Sequence, residues 1–273
     1  MISSNQLLID KNCPMCSLYG KCFIYFDLLQ PNELVYYQDV DDEVFEKVDA
    51  ERAKSEVALI HAEKGTTVYG VDAFMLVLFQ NWPTILRFFH LPLIHFLVVK
   101  LYRFISFNRH VISGERMAIV KRDCHPPVHL AYRWLYILLV AIGTGFIVNQ
   151  FSIHLDYALG LQHHHSREFI ICFGQVLWQL VAVSIINPLK RMDYLGNMST
   201  VSFIGALLLL PHIVLANWVG LPLIVLGLYF SLVVGTMFVL HVKRCKSLGL
   251  PFAMSISWVA FRSVALLIIL YLI

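Results

Sequence analysis

The chain has 273 residues, 58% of them hydrophobic, a mean hydropathy of +0.69 and a formal net charge of +3. That is more apolar than a soluble globular protein of this length. Residues 1–72 hold 13 acidic and 6 basic side chains, residues 73–131 hold 2 and 7, and residues 132–273 hold 3 and 8, so an acidic head precedes a basic collar and an apolar tail. An acidic head excludes the nucleic-acid-binding classes, and a basic collar beside an apolar tail points to a membrane surface. The first ten residues lack a basic n-region and an apolar h-region, so no cleavable signal is expected.

In chain order, Leu7-Leu8-Ile9 predicts a strand ending at Asp10. Cys13-Pro14-Met15-Cys16 follows, and Ser17 to Leu29 predicts a helix. A C-x-x-C on a strand-to-helix turn has a physical logic. The unpaired N–H groups of the helix start stabilise a thiolate on the first sulfur, which is expected to be ionised and reachable there. The second sulfur lies one turn inside, close enough to close a disulfide. Pro14 suits the first helical turn, where its missing N–H costs nothing. Cys13 is thus the candidate attacking thiolate and Cys16 the candidate resolving thiol. Asp10 has two readings, a carboxylate acting on the thiol's proton or pKa, and a cap of the turn. Cys22, off the face of Cys16, is expected to be buried packing.

Six cysteines occur, at 13, 16, 22, 124, 172 and 245, without the spacing of a secreted disulfide framework. A C-x-x-C is also half of a zinc site, but the head has no second C-x-x-C and its only histidine is His61, so redox chemistry is favoured and no metal or cofactor is expected.

Pro31-Asn32 ends the first helix, and residues 33–38 predict a strand. Asp41 to Lys54 is charged and helix-prone, Val57 to His61 predicts a third strand, and a Lys64-Gly65 turn leads into Thr66 to Tyr69. A helix is predicted from Val71 to about Phe79. The order β-α-β-α-β-β-α with the dithiol after the first strand is a thioredoxin-like plan. The loop before strand three, Ala53-Lys54-Ser55-Glu56, has no proline. Substrate docking is therefore expected to differ from that of thioredoxin.

The collar holds two apolar helical segments, Phe74–His90 and Pro92–Phe107, broken at Trp82-Pro83 and Leu91-Pro92 and interrupted by Arg87, Lys100 and Arg103. Neither offers the ~20 uninterrupted apolar residues of a span. They predict a helical cap on the sheet, with a second reading in which Lys100, Arg103 and Arg109 face acidic headgroups. Residues 111–131 read as a linker. In it Cys124-His125 is an incidental pair in one reading, and a metal ligand pair or a disulfide partner of Cys13 in another.

Five spans are predicted, at 132–151, 168–187, 200–218, 221–242 and 253–273. Lys121, Arg122 and Arg133 precede the first, Lys190 and Arg191 separate the second and third, and Lys243, Arg244 and Lys246 separate the fourth and fifth. By the positive-inside rule the head is cytoplasmic and the C-terminus is on the opposite side. A relay of electrons across the membrane by cysteines is not supported, because only Cys172 lies in the outer half of a span. Arg262 sits near the middle of the fifth span, with Gln175, Gln179 and His212 expected at its depth. With His154, Asp156 and His163 to His165 in the outer loop, these frame either a polar pocket or ordinary interhelical bonding.

Asp10-Lys11-Asn12-Cys13-Pro14-Met15-Cys16, the step Gly70-Val71-Asp72-Ala73 and the pattern Tyr102 to Asn108-Arg109 stand in order along residues ~5–115. In these motifs the head resembles the DCC family of predicted thiol-disulfide oxidoreductases. Lys11 stands where that family usually has glycine.

The resemblance implies a thioredoxin-like domain with a helical extension over residues 1–115, and the hydropathy adds a linker over 116–131 and a membrane bundle of about five helices over 132–273. The function expected is a membrane-anchored thiol-disulfide oxidoreductase exchanging electrons at Cys13, Cys16 and Asp10 with a protein or small-thiol partner. The alternative is a transporter or metal-handling membrane protein with a redox-sensing head. Neither reading specifies an oligomeric state.

Overall fold

The computed structural model describes residues 5–61, 65–114, 122, 124–219 and 222–272. Lys64 of the expected hairpin turn, Lys121 of the linker and Leu221 at the start of the fourth predicted span lie outside the described residues. Two compact units are present, Met1–Tyr132 and Arg133–Ile273.

The first unit runs β1 (Gln6–Ile9), α1 (Pro14–Tyr25), β2 (Leu34–Tyr36), α2 (Asp42–Phe45), α3 (Ala50–Ala53), β3 (Ala58–His61), β4 (Thr66–Tyr69), α4 (Gly70–Leu78), α5 (Pro83–Phe89) and α6 (Pro92–Ser113). The strands form one mixed sheet in the order β2-β1-β3-β4. β1 pairs parallel with β2, and β3 lies antiparallel to both β1 and β4. That is the thioredoxin-like arrangement the element order predicts.

Because a strand's side chains alternate, β1 sends Leu7 and Ile9 to one face and Leu8 to the other. The Leu7 face packs with Cys13, Cys16, Phe23, Val57, Ala73 and Val77. The Leu8 face packs with Tyr37, Val40, Ala53, Ile60 and Cys124. Gly20 lets α1 settle on the sheet, since a Cβ there would stand 3.0 Å from both Ile9 and Leu34 side chains. Gly70 joins β4 to α4 at φ 69°, a left-handed conformation that glycine adopts without strain.

Three local differences from expectation have simple causes. α1 begins at Pro14 because Cys13 is already its N-cap, and it ends at Tyr25, after which Asp27 takes φ 54°. The charged stretch 41–54 splits into two single-turn helices, the second capped by the Asp49 carboxylate accepting from the Arg52 N–H. Cys22 is exposed on α1 rather than buried. Lys11 keeps a negative φ, so the family's usual glycine is not required here.

α5 and α6 each start on a proline at the breaks that the sequence marks, and they meet at 82°.

The second unit is helical, with α7 (Leu130–Leu159, its first three residues in the first unit), α8 (Arg167–Ile186), α9 (Arg191–Trp218), α10 (Leu223–Ser247) and α11 (Ala253–Leu272). α7 to α10 are each long and apolar enough to cross a bilayer, and α11 is a further apolar helix of 20 residues. The bent pair α5–α6 reaches the same standard only when its two helices are taken together. Buried α9 residues Tyr194, Leu195, Met198 and Val201 form the centre of this unit's core. A polar chain ties four helices together. The Tyr194 hydroxyl donates to Gln179 Oε1 at 2.8 Å and lies 3.1 Å from His241 Nε2, whose Nδ1 is 3.0 Å from Ser255 Oγ.

Candidate functional site

The turn between β1 and α1 is built from its own side chains. Asp10 ends the strand, and its Oδ1 accepts from the Asn12 N–H at 2.9 Å. Cys13 then caps α1, its Sγ accepting from the Cys16 N–H at 3.3 Å. That bond uses an N–H which the helix leaves unpaired, and it favours the charged form of the acceptor.

The surroundings of the turn come from the C-terminal end of α6. Arg109 Nη2 lies 3.3 Å from Asp10 Oδ2, and His110 Nε2 lies 3.1 Å from the same oxygen. Gln38 Nε2 donates to Asp10 Oδ1 at 2.7 Å, and Arg109 Nη2 also donates to the Cys124 carbonyl at 2.7 Å. Ser113 Oγ stands 3.9 Å from Cys13 Sγ. Asp10, Arg109 and His110 are all buried. Arg109 therefore faces a carboxylate in the head's interior and not a headgroup, which corrects that reading for Arg109. A buried guanidinium needs such a partner, because a lone charge in the interior is costly.

The titration of these groups follows. Burial opposes ionisation of Asp10, but the hydrogen bonds from His110 and Gln38 and the Arg109 charge outweigh it and hold the carboxyl at about 2. The hydrogen bond with Cys16 draws the Cys13 thiol down to about 6 against the opposing effect of burial, helped by the Cys16 backbone N–H and by Arg109 and His110. Its bond to Cys13 and its own burial push the Cys16 thiol far up. The pair is a thiolate at 13 held by a thiol at 16. Both are free cysteines here.

Access differs from the expectation of a reachable sulfur. Cys13 is 0% exposed and Cys16 is 4% exposed. Cys16, not Cys13, lines a cavity of about 300 Å³ between α1, α4 and α6.

The remaining candidates are scattered. Cys124 packs on the opposite face of the sheet with its Sγ 3.7 Å from Arg109 Nη2, and the His125 ring lies 4.4 Å from that of His110, tilted by 39°. Within the second unit, Arg262 Nε donates to Gln175 Oε1 at 3.0 Å, as its depth suggests. Gln179 instead joins Tyr194, and His212 stacks on Tyr229 at 5.0 Å, so the expected four-residue cluster is reduced to one pair. His163 meets Asp156 at 2.7 Å, and Arg167 bridges Asp156 to Glu168. Among the described residues no group of three or more His, Cys, Asp and Glu side chains has a metal-binding arrangement.

Sequence reasoning picked out the two sulfurs and Asp10 but not Gln38, His110, Ser113 or Arg167. Arg109 was visible as the end of the Tyr102 to Asn108-Arg109 pattern and as a candidate headgroup contact, but not as a partner of Asp10. Its distance of 99 residues from Asp10 hides the pairing.

Residues 7–115 match the family model of the DCC1-like thiol-disulfide oxidoreductases. The match covers the sheet from Leu7 on, the dithiol turn and α6, and ends before the helices apt for a bilayer. Searches of curated proteins and of solved structures returned no match.

Proposed function

We propose, from the family match of the head, that this protein is a membrane-anchored thiol-disulfide oxidoreductase that cycles Cys13 and Cys16 between dithiol and disulfide. The observation that carries the reading is the Cys16 N–H donating to Cys13 Sγ at the start of α1, with the thiol drawn down to about 6. A thiolate at neutral pH is the competent nucleophile, and a protonated neighbour one turn away resolves the mixed disulfide it forms. Asp10 acts as a positioning residue. Both of its oxygens are engaged, so it holds Arg109 and His110 beside the sulfur and takes no proton from it. The partner is a protein or small thiol or disulfide. Basic residues before α7, between α8 and α9 and at the end of α10 support a head on the cytoplasmic side.

A Cys16→Ser variant tests this. It should accumulate a disulfide-linked adduct at Cys13 that a reductant releases, while Cys13→Ser should give none. Equal yields of adduct from the two variants would sink the reading.

A second reading, a transporter whose head senses redox state, draws on the Arg262–Gln175 pair and the Asp156–Arg167–Glu168 cluster, since ionisable groups among apolar helices are costly and often functional. Under it, Cys13→Ser leaves transport intact and removes only its redox response.

A further inference from the structure

The cavity beside Cys16 has a chemistry of its own. Met15, Tyr19, Leu101, Tyr102 and Arg109 line it together with Cys16, and the wall is mostly apolar. Its volume of about 300 Å³ is at the small end of small-molecule sites, enough for one ring. One polar donor and one cation stand at it. Arg109 is 5% exposed and lines the cavity with its positive charge nearby. The Tyr102 hydroxyl accepts from the Val57 N–H at 2.9 Å, which leaves its own proton to donate. A donor and a cation beside an apolar cavity call for a lipophilic molecule with an acceptor oxygen.

The outer side of the cavity gives the direction of entry. Leu101 is 57% exposed there and Ile105 37%. The same α5–α6 pair exposes Trp82, Phe88, Leu93, Phe96 and Leu97, with Arg87, Lys100 and Arg103 interspersed. A broad apolar surface with cations among it fits a bilayer interface. In the sequence, residues 114–129 join α6 to the first bilayer-apt helix.

We propose that the cavity is the binding site of a quinone that enters from the bilayer across α5–α6 and oxidises the dithiol at Cys16. The inference rests on the oxidoreductase reading and names its oxidant. The proton that the pair shares passes from Cys16 to Cys13, and the Cys16 thiolate adds to the quinone, whose oxygen takes the hydrogen bond of Tyr102. Cys13 then attacks the Cys16 sulfur and gives up that proton. The S–S bond forms, the sulfur–quinone bond breaks, and the electron pair leaves with the hydroquinone. Its two protons are the one the pair shared and one from water. The dithiol loses two electrons and the quinone gains two. The division of labour matches the geometry, since Cys16 lines the cavity and the fully buried Cys13 does not.

The test uses the reduced full chain in phospholipid nanodiscs with decylubiquinone as probe. One quinol should form per Cys13–Cys16 disulfide, read by quinol absorbance and by the mass of alkylated peptides. Leu101→Trp, at an exposed position, should fill the mouth and slow this at least tenfold. The Cys13→Ser, Cys16→Ser double variant should still bind decylubiquinone saturably, and Leu101→Trp in that background should lose the binding. The proposal is overturned by no quinol from the wild type, by an unchanged rate in Leu101→Trp, or by a cavity that retains only a phospholipid acyl chain. Trapping at Cys13 in Cys16→Ser reads the oxidoreductase assignment separately. Adducts there without quinol here would remove the quinone and keep the exchange.

Discussion

At the scale of the residue, the state of Cys13 is set by its neighbours in a definite order. The contact with Cys16 comes first and the charges of Arg109 and His110 come later, against the cost of burial. The reaction of the reduced protein with iodoacetamide should therefore rise with pH through a midpoint near 6. Cys16→Ala should move that midpoint up toward the ordinary thiol range, and further than Arg109→Met does. A midpoint that Arg109→Met moves more would reverse the order of causes. Asp10 yields a second expectation. Its pKa is lowered from 3.8 to about 2 in the folded head, so its contribution to stability is present above the unfolded value and is lost as pH falls through the folded one. The amount is ~2 kcal/mol. Asp10→Asn should remove this acid-dependent component in denaturation measured across that range. It should also lower stability at neutral pH by about 3–5 kcal/mol, because Arg109 is left buried without its carboxylate.

At the scale of the element, the sheet was legible because its strands are short apolar runs bounded by turn residues, and the dithiol turn because C-x-x-C has few other meanings. The helix boundaries were less so. Residues 41–54 share a helical composition, but Asp49 caps a new turn within them, and composition does not reveal a cap. The site was half legible. Cys13, Cys16 and Asp10 are local in sequence, whereas Arg109 and Gln38 join them only through the packing of α6 and β2. Arg109 also carries the same charge as the collar residues around it, which is why a headgroup reading was open. One glycine was legible as part of a motif and is now physical. Gly70 at φ 69° sits with the Glu56 carboxylate 3.1 Å from where a Cβ would be. Gly70→Ala should cost about 1–2 kcal/mol in the head's unfolding free energy from the left-handed backbone alone. A neutral effect would mean that the β4–α4 junction relaxes.

At the scale of the whole molecule, the five helices α7 to α11 were each anticipated near their place from hydropathy, with ends displaced by up to about nine residues where polar residues continue the helix. α9, for example, begins at Arg191 rather than near 200. Five crossings, by α7 to α11, would put the C-terminus across the membrane from the head. A sixth, by the bent α5–α6 pair, would put both ends on one side. Paired C-terminal reporter fusions decide the point. Alkaline phosphatase should be active there and a fluorescent protein dark, and the opposite pattern would reject the five-crossing arrangement.

The end of α6 shelters the sulfur of Cys13 with Ser113 and electrifies it with Arg109 and His110. Cover and charge come from one short stretch of chain, so they rise and fall together. Were that stretch to fray and admit a bulky partner, the uncovered thiol would lose the help of those charges and keep only its contacts with Cys16. Reactivity is thus greatest in the closed form, where only slender reagents fit, and the protein's selectivity for size is written into the same few residues that make it reactive.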